Sequence, residues 1–270
     1  MLLLLQDIWG WILMSKIKNA FDHGKAFIGF LTAGDPSLDK TGEFIISMVD
    51  AGADLIEIGI PFSDPIAEGE VIQRSNARAL SAGTNLNKIF EMVKSVRKKT
   101  SIPLVFLTYL NPVFTYGYEH FFKECHEAGV DGVIIPDIPY EERGELTPFS
   151  EKYEVDIISL IAPTSQTRIT EIASHAKGFV YCVSSMGVTG VRSEIKTDLP
   201  SIISAVRSVT DVPAAVGFGI STPRQASDIS SYSDGIIVGS AIVKIIEEQG
   251  EASAKPLFEY VLKMKQALRA

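Results

Sequence analysis

Eight short apolar runs rich in β-forming residues alternate along this chain with eight amphipathic segments, and no other feature restricts the fold as much. The runs are Ala26–Leu31, Asp54–Ile60, Pro103–Leu110, Gly132–Pro136, Asp156–Ile161, Gly178–Val183, Pro213–Val216 and Gly235–Val238. The segments that follow them are Asp39–Ala51, Leu86–Lys99, Glu119–Ala128, Glu141–Lys152, Gln166–His175, Leu199–Val209, Pro223–Ser231 and Ala241–Glu248. Strand and helix in strict alternation specify a parallel sheet with helices outside it, and eight such units close into a (β/α)8 barrel, the TIM barrel, more simply than they stack into an open doubly wound sheet. No Gly-x-Gly-x-x-Gly follows the first run, which counts against a dinucleotide-binding open sheet. A short helix over Ser15–His23, stopped at Gly24, precedes the first run, and a last helix over Pro256–Leu268 closes the chain. Neither an internal repeat nor a linker divides residues 15–270, so they read as one domain. With 270 residues, 46% of them hydrophobic, the chain can fill one large core.

Residues 1–14, MLLLLQDIWGWILM, stand apart from this rhythm. The stretch is apolar, yet a spanning helix needs about 20 such residues and a secretory signal needs a basic start, which this one lacks. It reads as an apolar extension outside the fold, ahead of a start at Met14-Ser15-Lys16. A net charge of -8 argues against a nucleic-acid surface, and the basic residues between Lys94 and Lys99 read as the solvated end of a helix. Two cysteines, Cys125 and Cys182, make neither a disulfide framework nor a metal spacing, so a reducing cytoplasm is expected and no metal site is.

Within the second run lies a carboxylate. In Leu55-Ile56-Glu57-Ile58-Gly59-Ile60, strand alternation puts Ile56, Ile58 and Ile60 on one face and Leu55, Glu57 and Gly59 on the other. Glu57 therefore points into whatever the strand encloses, where a charge is costly unless it is partnered or neutral. A catalytic group and a satisfied buried ion pair both fit that position. The run breaks at Pro61 into a loop carrying Asp64, Glu68 and Glu70.

Barrel active sites collect at the C-terminal ends of the strands. Run seven leads into Gly217-Phe218-Gly219-Ile220-Ser221 and run eight into Gly239-Ser240, both just ahead of helices. Glycines beside helix N-termini let backbone N–H groups approach an anion, and loops seven and eight are where barrels commonly hold phosphate. Phe30, Leu107, Tyr109, Tyr181 and Phe218 lie near strand ends, where they either fill the core or line a site for a flat aromatic ligand. Loop six, from Ser184 to Arg192, is small and glycine-rich, as a lid or an ordinary connection would be.

Five motifs in order, Leu31-Thr32-Ala33-Gly34-Asp35-Pro36, Pro61-Phe62-Ser63-Asp64-Pro65, Gly187-Val188-Thr189-Gly190, Gly217-Phe218-Gly219-Ile220-Ser221 and Gly239-Ser240-Ala241-Ile242-Val243-Lys244, resemble the tryptophan synthase alpha subunit family from about Ser15 onward. The resemblance implies a (β/α)8 barrel that cleaves indole-3-glycerol phosphate to indole and glyceraldehyde 3-phosphate, a carbon–carbon lyase with no cofactor in its own chain. It also implies an alpha2-beta2 heterotetramer, in which indole passes through a tunnel to a beta subunit whose pyridoxal phosphate joins it to serine. Glu57 matches the family's general acid and base, and Thr189 and Gly190 match its lid. Gly219, Gly239 and Ser240 match the phosphate site, Tyr181 and Phe218 the substrate lining, and Asp64 a contact with the beta subunit.

One departure falls on a catalytic position. Where the family usually has Ala-Asp-Gly-Pro, with an aspartate that holds the indole N–H, this chain has Ala67-Glu68-Gly69-Glu70. Glu68 adds roughly 1.5 Å of reach, and misplacement by about 1 Å can slow a reaction on the order of 10²-fold. Glu70, in place of proline, is expected to loosen the loop and to raise the pKa of a neighbouring carboxylate. An active lyase and a catalytically weak chain that serves its partner as an allosteric activator are thus separated by Glu68.

Overall fold

The apolar runs form nine parallel strands in the computed structural model, which describes residues 15–163, 166–183, 198–217 and 219–268. They are β1 (Ala26–Thr32), β2 (Leu55–Gly59), β3 (Leu104–Leu107), β4 (Gly132–Ile134), β5 (Asp156–Ile157), β6 (Ser159–Ile161), β7 (Val180–Val183), β8 (Ala214–Gly217) and β9 (Gly235–Val238). Strand order is β5-β4-β3-β2-β1-β9-β8-β7-β6. The expected fifth run supplies both ends of that order. Its first half pairs with β4, Ile158 donates its N–H to Val133, and its second half pairs with β7, so one interrupted stave closes the barrel. The residues 1–14 extension lies outside the described residues.

Around the strands lie α1 (Leu38–Asp50), α2 (Glu70–Ser81), α3 (Leu86–Arg97), α4 (Leu110–Tyr116), α5 (Tyr118–Ala128), α6 (Thr147–Tyr153), α7 (Gln166–Ser174), α8 (Leu199–Arg207), α9 (Pro223–Ser230), α10 (Ser240–Gln249) and α11 (Ala254–Ala267). Two expected elements change character. The run Pro103–Leu110 leaves the sheet after Leu107, because the Asp137 carboxylate accepts the Leu110 N–H at 2.9 and 3.2 Å and starts α4 there. The segment Glu141–Lys152 divides into a 3-10 turn over Tyr140–Glu145 and α6, which has Pro148 in its first turn. A proline lacks the N–H that a continuing helix would need, but it suits the start of a new one.

Side-chain alternation sorts the core into two parts. Ile56 and Ile58 face outward into the layer against the helices, together with Phe44 and Phe90, while Leu55 faces inward with Ile28, Val105, Ile134 and Ile237. Burial of each such side chain contributes about 1.5–3 kcal/mol. The opening element is a 3-10 turn over Lys16–Phe21, and its fully buried Ile17 plugs the end of the barrel where the strands begin. A Cβ on Gly132 would lie 2.8 Å from the Ile17 Cδ1 atom, so that glycine makes room for the plug.

The strand-starting rim carries a device used three times. Asp54 accepts the Phe27 N–H at 2.6 Å and meets Lys265 at 2.5 Å. Asp131 accepts from Leu104 at 2.9 Å and meets Arg97 at 2.5 Å; Asp234 accepts from Ala214 at 2.9 Å and meets Arg207 at 2.7 Å. Each aspartate also returns its own N–H to the carbonyl of the same strand residue. The first two sit in similar tetrapeptides, Ala51-Gly52-Ala53-Asp54 and Ala128-Gly129-Val130-Asp131. Gly52 and Gly129 take φ +99° and +80°, left-handed values that end α1 and α5 and turn the chain into the next strand.

Candidate active site

Glu57 occupies the middle of β2, paired with Phe30 on one side and Val105 on the other, and is 1% exposed. Its Oε2 atom has no hydrogen-bond partner among the described residues. Burial therefore acts almost unopposed and pushes its pKa up to about 8, with the charge of Glu68 adding to the rise. Of the two readings open for this position, the satisfied ion pair is absent among the described residues.

Glu68 lies at the end of the loop after β2 and is buried at 6% exposure. Asn76 on α2 donates to its Oε2 at 2.6 Å, and Gln73, one turn earlier on the same helix, donates to its main-chain carbonyl at 2.7 Å. Desolvation raises its pKa to about 7 against the opposing Asn76 bond. Two carboxyl groups thus share one cavity with proton affinities moved into the neutral range. Such a pair can exchange protons with a bound molecule near pH 7.

The cavity, about 390 Å³ in volume, lies where the strands end and is lined by both acids together with Phe30, Leu107, Tyr109 and Tyr181. Tyr109 precedes α4, and its hydroxyl accepts the Ala67 N–H at 3.1 Å while its ring sits 5.3 Å from that of Phe62. This ties the Glu68 loop to the next strand's loop. Burial, and then the Glu68 charge, raise the pKa of the Tyr109 hydroxyl, so it stays protonated. Gly59, Gly239 and Gly217 give the aromatic walls their space. A Cβ on the first two would meet the Phe30 ring at 2.7 and 3.3 Å, and one on the third would meet the Tyr181 hydroxyl at 2.5 Å.

Gly219, Gly239 and Ser240 line the same cavity. Gly239 precedes α10, which has no side-chain cap among the described residues, so the first-turn N–H groups of this ten-residue helix face an anion site. The helix after loop seven differs. Thr222 and Gln225 form a closed capping box at the start of α9, which takes up the Ser221, Thr222 and Gln225 amides and leaves fewer free N–H groups there than at α10. Thr189, Gly190 and Phe218 lie outside the described residues.

Several placements depart from expectation. Glu70 is the first residue of α2, with a side chain 92% exposed and 3.9 Å from Arg74, and it is not among the groups that raise Glu68. At that place it favours the helix N-terminus rather than disturbing its neighbour. Asp64 is exposed and accepts the Ser63 hydroxyl, and two residues on, Ile66 shows 73% of its surface to solvent. Sequence reasoning missed Asn76 and Gln73, whose only signal was their spacing on the helix that follows Glu68. It also missed Arg143, which enters the cavity wall over the Tyr140 ring and donates to Ser159 at 2.8 Å.

Residues 16–269 match the family described as tryptophan synthase alpha chain. The tryptophan synthase alpha chain of Lacticaseibacillus casei is 44% identical over 259 residues, which cover 96% of this chain and 97% of the relative. Among solved structures, tryptophan synthase of Mycobacterium tuberculosis superposes with a TM-score of 0.87 at 32% identity, covering 95% of this chain and 99% of that one. A chain from the tryptophan synthase a2b2 complex of Pyrococcus furiosus gives 0.83 at 36% identity, over 90% and 98%.

Proposed function

This chain belongs to the tryptophan synthase alpha chain family, whose reaction is cleavage of indole-3-glycerol phosphate to indole and glyceraldehyde 3-phosphate, and we propose that Glu57 and Glu68 are the acids that carry it out. The chain is a carbon–carbon lyase and the alpha subunit of its complex. The observation that supports the assignment of roles is that two carboxyl groups with raised proton affinity face one cavity, which has an uncapped helix N-terminus in its wall.

Substrate phosphate sits against Gly219, Gly239 and Ser240 at the start of α10, and the indole ring lies among Phe30, Leu107, Tyr109 and Tyr181. Protonated Glu57 gives its proton to indole C3, which makes the ring a leaving group. Ionised Glu68 accepts the indole N–H and stabilises the positive charge that develops on nitrogen. The Glu57 carboxylate then takes the proton of the glycerol hydroxyl next to C3. As the O–H electrons form the aldehyde, the C–C bond breaks and its electrons restore the indole double bond. One proton enters and one leaves, so the step needs only acid–base groups, and we infer no cofactor in this chain. Pyridoxal phosphate belongs to the beta subunit that receives the indole.

The subunit pairs with a beta subunit, as in an alpha2-beta2 complex. Asp64, together with Ile66 at 73% and Phe114 at 68% exposure, offers that partner a face beside the cavity mouth. We place the chain in the cytoplasm; no helix among the described residues is long and apolar enough to cross a membrane. The experiment is indole release from indole-3-glycerol phosphate, with and without the beta subunit. Release is expected in both, faster with the partner. Release in neither would remove Glu57 and Glu68 from these roles, and release only in the complex would favour a chain that depends on its partner for assembly of the site.

A further inference from the structure

The helix that opens at the phosphate end and the helix that holds Glu68 are joined by one carboxylate. Glu247, near the end of α10, accepts from Arg74 Nε at 2.7 Å and Arg74 Nη2 at 3.0 Å, and from Arg78 Nη1 at 3.0 Å. Both arginines are on α2. Arg78 turns its other edge to Asp35, on the loop after β1, with bonds of 2.9 and 2.7 Å, and Ser75 donates to the same aspartate at 2.5 Å. Helix α2 is thus gripped on one side by a buried carboxylate of the barrel and on the other by the phosphate-end helix. From between those grips Asn76 and Gln73 reach Glu68.

We propose that Glu247 is a positioning residue for the reaction, fixing through Arg74 and Arg78 the distance between the phosphate end of the site and the Glu68 carboxylate. The inference rests on the roles assigned above. Glu247 is not among the residues that line the cavity and is a quarter exposed, so its ion pairs add little to stability. Their geometry is what counts. A bidentate fork resists sliding between two helices in a way that a single point contact does not, and a displacement of about 1 Å at a reacting group can cost on the order of 10²-fold in rate.

The test compares wild type, Glu247→Ala, Glu247→Gln, Asn76→Ala and the Glu247→Ala/Asn76→Ala double variant, as full chains with the beta subunit present. Glu247→Ala is expected to lower kcat about tenfold while KM stays within about twofold, since the phosphate contacts remain. Because the Asn76 bond opposes the rise in Glu68 proton affinity, loosening it should move the acid limb of the kcat profile upward by about 0.5 pH unit. Glu247→Gln keeps the length and one acceptor and should recover part of the rate. The double variant should be no slower than Asn76→Ala alone, because both act through the same bond. An unmoved pH profile, or additive losses in the double variant, would overturn the proposal and leave a surface ion-pair network. If wild type releases no indole, the assignment of Glu68 fails instead. Carbon-13 titration of the Glu68 carboxyl then still decides the coupling, which is overturned if its midpoint is the same in wild type and Glu247→Ala.

Discussion

Where the strands begin, Asp54, Asp131 and Asp234 each meet a cation and a backbone N–H; where they end, Glu57 meets neither among the described residues. Asp54 and Asp131 at the first rim and Glu57 at the second are held largely out of bulk water. At the first rim, cations and backbone donors hold the acids as fasteners between strands, and at Asp131, where burial raises the pKa, Arg97 and the Leu104 N–H oppose the rise. At the second, Glu57 Oε2 has no donor among the described residues, burial raises the proton affinity, and the same chemical group becomes able to give up a proton near neutrality. Partners as well as depth decide which role a buried acid has.

The sharpest way to test that contrast is Glu57→Gln. Its shape is nearly unchanged and its proton is gone, so kcat should fall about 10³-fold or more while a substrate analogue still binds; a kcat within about tenfold of wild type would remove Glu57 from its role. The same variant has a second signature. In the folded chain Glu57 holds its proton to about pH 8, whereas an unfolded glutamate releases it near 4.3. The folded state binds the extra proton between those values, so wild type loses stability as pH rises through that window. Glu57→Gln should lack this loss, so its stability relative to wild type should grow by on the order of 3 kcal/mol between pH 6 and pH 9, read by urea unfolding at both.

Next in size is the opposite rim. Arg97→Ala leaves Asp131 buried without its cation and takes away bonds to the Gly129 and Ile102 carbonyls, for a loss of about 3 kcal/mol. Per folded molecule, kcat should be unchanged, and a kinetic effect of its own would blur the division between the rims. Glu68→Asp comes third. Shortening the side chain draws it away from Asn76, and a drop in kcat of about tenfold is expected. An equal or faster rate would show that the loop follows the shorter acid. Smallest is Arg207→Ala, because its pair with Asp234 is largely solvated; chemical denaturation should register less than about 1 kcal/mol.

Much of this was readable before any coordinates. Alternation along Leu55–Ile60 points Glu57 inward because strand periodicity is local and strict. The Glu68 environment was not readable, since Asn76 reaches it only once the loop has turned into α2 at Gly69, and a pattern of apolar residues does not specify that turn. Thr222 and Pro223 read as a cap and a first-turn proline, and Gln225 three residues after Thr222 has the spacing of a capping box, so the closed start of α9 is legible in the sequence. The split of the fifth stave at Ile158 depends on which neighbour each half bonds, a property of the closed barrel and not of the six residues themselves. Likewise, Asp54, Asp131 and Asp234 look like ordinary loop acids until distant cations arrive.

The distance between two of those partners matters for how the protein is made. Asp54 and Lys265 are 211 residues apart in the chain. At roughly 5–20 residues per second, a ribosome that has finished β2 works for roughly 10–40 s more before it adds that lysine. Through that interval the nascent first two strands carry an acid whose counter-charge has not yet been synthesised. The rim around β1 and β2 is therefore completed late, by a helix that arrives after every strand it fastens.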